Sequence, residues 1–111
     1  MAITFVDVST YQVFAYAGPT GNGGVAAGVS LGIPNAFAFL QFYPESSPVP
    51  ANSKSIHISG NPIFYVNYRY SQLNTVIDLL RNESPIKFFF RDETLVSYIT
   101  TSSEPVGEGE A

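Results

Sequence analysis

IFYVNYRYSQLNTVIDLLRNESPIKFFFR, residues 63–91, changes its hydrophobic period twice, and those changes decide the fold class. From Ile63 to Tyr70 the side chains alternate as on a strand. Phe64, Val66, Tyr68 and Tyr70 share one face; Ile63, Tyr65, Asn67 and Arg69 share the other. At Ser71 the rhythm becomes helical. Leu73, Val76, Ile77 and Leu80 keep the i, i+3, i+4, i+7 spacing, with Gln72, Asp78 and Arg81 away from that stripe. Ser71 is the N-cap candidate, because its hydroxyl can accept from an unpaired N–H of the first turn. Asn82 and then Pro85 stop the run, which places one helix at about 71–82. Period two returns in Ile86–Arg91 and Thr94–Thr100, a closing β-hairpin around Asp92-Glu93.

Upstream of this stretch everything reads as strand or turn. Lys54–Ser59 is a short strand candidate, preceded by the proline- and serine-rich loop Pro44–Ser53. Ala36–Tyr43 alternates strongly, and Val25–Leu31 is a weaker strand interrupted by Gly28, a sign of a bulge or a close backbone approach. The glycine-rich segment 18–24 is a turn, and Ile3–Ala17 is one β-rich run with a bend or bulge possible at Ser9-Thr10. The expectation is an α+β domain over residues 1–101, built on a curved or barrel-like, mainly antiparallel sheet of six to seven strands. The helix packs on one face of it. A helix is only about 10 Å wide, so something else must cover the remaining sheet: the sheet rolled on itself, or a second copy of the chain.

Charge bears on partners. Only 13% of the 111 residues are charged, against about 25% in an ordinary soluble domain. Glu104, Glu108 and Glu110 lie in the last eight residues, so 102–111 reads as an acidic, mobile tail and the body is nearly neutral. The five basic residues Lys54, Arg69, Arg81, Lys87 and Arg91 are a thin footprint for a polyanion, which argues against nucleic acid. Residues 8–44 carry no charge, yet glycines and prolines cut them into strand-length pieces, too short for a membrane-spanning helix. The N-terminus lacks a basic region and meets Asp7 early, unlike a signal peptide, so a cytoplasmic location is expected. There is no cysteine for thiolate chemistry.

No constellation specifies a catalyst. His57 is the sole histidine, set between Ile56 and Ile58 in the short strand candidate. It could serve as a general base or a ligand, or stand on an edge strand with no role. A zinc site needs three or four ligands, and one His without Cys does not supply them, so neither metal nor cofactor is expected. Gly21-Asn-Gly23-Gly-Val-Ala26 satisfies a dinucleotide fingerprint in letters only. The segment after it, VAAGVSLGIP, is no helix former, and that motif's mechanism needs a helix N-terminus there.

The composition predicts a non-catalytic binding protein acting as a homodimer or higher oligomer. Its partner surface is drawn from Tyr65, Asn67 and Arg69 with His57, Lys87 and Arg91. The alternative is a single-stranded nucleic-acid-binding module in which Tyr65, Arg69, Lys87 and Arg91 face one groove. In element order alone, the strand-rich stretch followed by one helix resembles the modules of Whirly-type single-strand-binding proteins. That resemblance implies a dimeric sheet-plus-helix binder, and the neutral body speaks against it. A third possibility is a small metal-free enzyme using His57 as base.

Overall fold

The computed structural model describes residues 2–101, and the acidic segment 102–111 lies outside them. Among the described residues there are eight strands and one α-helix. They run β1 (Ile3–Val8), β2 (Thr10–Ala15), β3 (Ala27–Ile33), β4 (Ala36–Tyr43), β5 (Ser53–Ile56), β6 (Pro62–Arg69), a 3-10 turn (Tyr70–Gln72), α1 (Leu73–Asn82), β7 (Ile86–Arg91) and β8 (Ser97–Thr101). The α+β class and the closing hairpin agree with the sequence reading. The strand count and the shape do not.

There is no single rolled or barrel-like sheet of six to seven strands. Two open sheets form instead, one in the order β2-β3-β4-β6-β5 and the other in the order β1-β7-β8. The cause lies at Ser9. Its N–H and its hydroxyl both donate to the Gly32 carbonyl, at 2.9 and 3.1 Å, and the β-rich run breaks there into two strands. β1 leaves to pair with β7, while β2 stays with β3. Gly32 makes the bend possible, because a Cβ on it would collide with the Thr10 hydroxyl.

All pairings are antiparallel except β4 with β6. That parallel pair needs a crossover, which the 44–52 loop and β5 provide before β6 returns between β4 and β5. Past Ser53 the loop's prolines cannot continue the ladder. Side chains take over: the Asn67 N–H donates to Asn52 Oδ1 at 2.7 Å, and Asn67 Nδ2 donates to the Pro50 and Ala51 carbonyls.

The sheets pack face to face. From the larger sheet come Ala27, Val29, Leu31, Ala38, Leu40, Phe42, Phe64 and Val66; from the smaller, Ile86, Phe88, Phe90 and Ile99. Phe64 sits between Phe88 and Phe90, with ring centroids 5.4 and 4.8 Å away. Burying each such ring contributes roughly 1.5–3 kcal/mol. The second sheet therefore does most of the covering that one helix could not do. α1 fills the end of the gap beside β8, burying Val76 and packing Leu73, Leu79 and Leu80 against the core, with Leu79 near Tyr68 and Ile99.

The helix start also departs from expectation. Ser71 lies inside the 3-10 turn, and neither it nor Gln72 makes a side-chain cap. The Ser71 N–H donates to Glu45 Oε2 at 2.8 Å, so a carboxylate from the 44–52 loop meets the positive end of the helical segment. That bond holds the Glu45 carboxyl below its ordinary pKa.

Candidate functional site

Strand alternation leaves each sheet an outer face, and the two outer faces point away from each other. The six residues expected at a partner surface do not form one cluster. Tyr65, Asn67 and Arg69 lie on the outer face of the five-stranded sheet, with His57 near its β5 edge. Lys87 and Arg91 alternate with the buried Ile86, Phe88 and Phe90, and so face outward from the three-stranded sheet. A single groove formed by Tyr65, Arg69, Lys87 and Arg91 is excluded by this geometry.

Several of these residues are engaged within the fold. Asn67 holds the 44–52 loop, as described, and the Arg69 guanidinium reaches toward the Ser47 carbonyl at 3.5 Å. Lys87 Nζ pairs with Asp7 at 2.6 Å and lies 5.5 Å from the centre of the Phe5 ring. His57 falls just beyond β5, in a turn closed by the Gly60 N–H donating to the His57 carbonyl. Its Nδ1 accepts from the Ser59 N–H at 3.1 Å, with the Ser59 hydroxyl 2.9 Å from the same nitrogen. The neutral ring therefore carries its proton on Nε2. The ring packs at 4.7 Å from Phe37.

The outer face of the three-stranded sheet carries a row of aromatic rings. Phe5, Phe89 and Tyr98 are in register across β1, β7 and β8. Phe89 and Tyr98 stack at 4.6 Å and 7°, and Phe5 meets Phe89 edge-on at 6.3 Å. The row is accessible: Phe5 is 52% and Tyr98 42% exposed. Ile3, across from Arg91, and Val96, which lines the same hollow as Phe89 and Tyr98, enlarge it.

The outer face of the five-stranded sheet carries a second aromatic set. Phe39 and Tyr65, on neighbouring strands, stack at 5.9 Å, and Phe14 and Tyr16 lie nearly parallel at 6.2 Å. Between the two pairs runs Gly28 of β3. The hollow there is about 270 Å³, and Gln41 and Asn22 contribute amides to its lining.

Neither Phe5 and Phe89 nor Phe14 and Tyr16 are among the six residues singled out from sequence. A signal for Phe89 was present, since the middle ring of Phe88-Phe89-Phe90 must face away from its neighbours on any strand. No local signal places Phe5 beside Phe89, because their contact depends on pairing the first strand with the seventh.

Among the described residues no group of three or more His, Asp or Glu could hold a metal ion, and no helix is long and apolar enough to cross a membrane. No protein-family model matches the chain, and neither does any curated protein or solved structure. The resemblance to Whirly-type modules thus remains one of element order.

Proposed function

We propose that the protein is a non-catalytic binding module that acts as a symmetric homodimer, joined through the outer face of its three-stranded sheet. One observation carries the reading: the exposed row Phe5–Phe89–Tyr98, bordered by Ile3 and Val96. Ion pairing also suits this face for burial. The Asp7–Lys87 pair is already neutral, which lowers the cost of removing those charges from water. Aromatic rings at the centre with polar groups around them are the composition of an interface core. A two-fold contact uses the same patch on both copies.

Light scattering behind size exclusion tests this. The expected mass at micromolar concentration is twice that of the 12.0 kDa chain, and Phe5→Glu combined with Tyr98→Asp gives a folded monomer. A wild-type monomer overturns the dimer, as does a dimer unaffected by both substitutions.

A second reading rests on the same face. Arg91 lines the same hollow as Phe89 and Tyr98, so the stacked rings have a cation beside them, an ingredient of a platform for single-stranded nucleic acid. Binding of a labelled oligonucleotide that weakens steeply with salt supports it. The absence of binding at low salt removes it.

A further inference from the structure

We propose that the outer face of the five-stranded sheet carries a binding groove for a neutral carbohydrate chain. The sugar rings would seat between Phe14 and Tyr16 on one side and Phe39 and Tyr65 on the other. This site lies on the opposite side of the sandwich from the aromatic row and does not depend on dimerisation.

The shape comes from the residue order along β3. Gly28 puts no side chain on the outer face between Phe14 of β2 and Gln41 of β4. The Tyr16 ring lies over the buried Gly28, and the hollow opens between that ring and the Phe39–Tyr65 pair. The glycine also seats Tyr16: a Cβ at position 28 would stand 3.3 Å from the Tyr16 hydroxyl and 3.4 Å from its ring. Beyond Tyr16 lies a second hollow of about 280 Å³, lined by Thr20 and Ser47 among others, so the tyrosine divides two adjoining subsites. Each is slightly smaller than the roughly 300–1,000 Å³ that takes a drug-sized molecule. Their sizes suit single rings placed one after another.

The chemistry selects the ligand class. Among the described residues no charged side chain lines either hollow. A polyanion would find no counter-charge there, since the nearby Arg69 sits beside Glu45 and reaches for a backbone carbonyl. A purely apolar ligand would bury the amides of Gln41 and Asn22 without partners, at a cost of about 1–3 kcal/mol each. A sugar chain satisfies both conditions. Its C–H faces carry slight positive charge and pack on the negative faces of aromatic rings, while its hydroxyls both donate to and accept from amides and tyrosine hydroxyls. A peptide strand would pair instead along the free edge of β2, and so lie beside the hollow rather than in it.

The test is an NMR titration of the isotope-labelled wild-type chain with neutral hexasaccharides of the β-glucan, α-glucan, chitin, xylan, mannan and galactan series. At least one should give saturable shifts at the backbone amides of Tyr16, Gly28 and Gln41. Tyr16→Ala should weaken that binding about tenfold, in line with the loss of one stacked ring. Gln41→Ala should weaken it several-fold, and Asn74→Ala on the exposed side of α1 should leave it unchanged. Tyr16→Phe, which keeps the ring and the fold, should bind more tightly than Tyr16→Ala. The proposal is overturned if no series shifts the wild-type spectrum. Shifts that ignore the groove substitutions, or binding confined to a heparin hexasaccharide or a single-stranded oligonucleotide, overturn it as well.

Discussion

Tyr68 shows how one side chain ties local alternation to stability. It lies on the inner face of β6, stacked on Phe42 at 5.1 Å and 14°, and α1 packs beside it. Burial pushes its phenol up to a pKa of about 12, whereas an unfolded tyrosine ionises near 10. In the unfolded chain the proton is therefore lost first. The stability that the neutral phenol contributes is fully present below pH 10 and disappears as pH rises from about 10 to about 12. Tyr68→Phe has no proton to lose, so its stability should fall less than that of the wild type across this window. Urea unfolding at pH 9, 10, 11 and 12 checks the difference. Parallel pH curves for the two chains would mean that Tyr68 is not desolvated as described.

At the scale of elements the decisive feature is the break at Ser9. The β-rich run serves two sheets: Ser9 is tied to the Gly32 carbonyl, and the Thr10 hydroxyl takes the space that a Cβ at Gly32 would fill. Gly32→Ala should destabilise the protein by about 1–3 kcal/mol, the range for forcing extra atoms into a filled site. Adding Thr10→Gly should restore a large part of that loss, since it removes the hydroxyl that collides. Denaturant midpoints for the two single variants and the double variant give the coupling energy directly. Strict additivity would place the strain elsewhere. The same scale explains Asn67, which sequence alternation placed correctly on the outer face but which is engaged with the 44–52 loop. Prolines at 44, 48 and 50 signalled a loop; which side chain would hold it was not a local property.

For the whole molecule, the two sheets are joined at one side by the chain itself at Ser9. At the other they are latched by Lys54 Nζ to Asp92 at 2.8 Å and Asn52 Nδ2 to the Leu95 carbonyl at 2.9 Å. That ion pair is partly exposed and worth about 0–1 kcal/mol, so the joint depends on the aromatic core. Phe64, at 0% exposure between Phe88 and Phe90, is the centre of it. Phe64→Ala should cost about 3–5 kcal/mol, read as a lowered denaturant midpoint with an unchanged slope. A loss below 1 kcal/mol would mean that the sheets do not meet there.

The sequence by itself determined most of the elements, though not the division of the first β-rich run into β1 and β2. Alternation gave the strands and both faces of β6, the i, i+3, i+4, i+7 stripe gave the helix, and composition gave a body with little charge to guard its outer faces. Those are properties of neighbours in the chain, where periodicity records which side of each element must be dry. Only the tertiary structure decided that the sheet splits in two and that β6 lies between β4 and β5. It also decided which aromatic rings stand together in the open. Phe5 meets Phe89, and Tyr16 lies over Gly28, through strand pairings between distant segments. Such pairings are set by the packing of the whole core, and no local pattern encodes them.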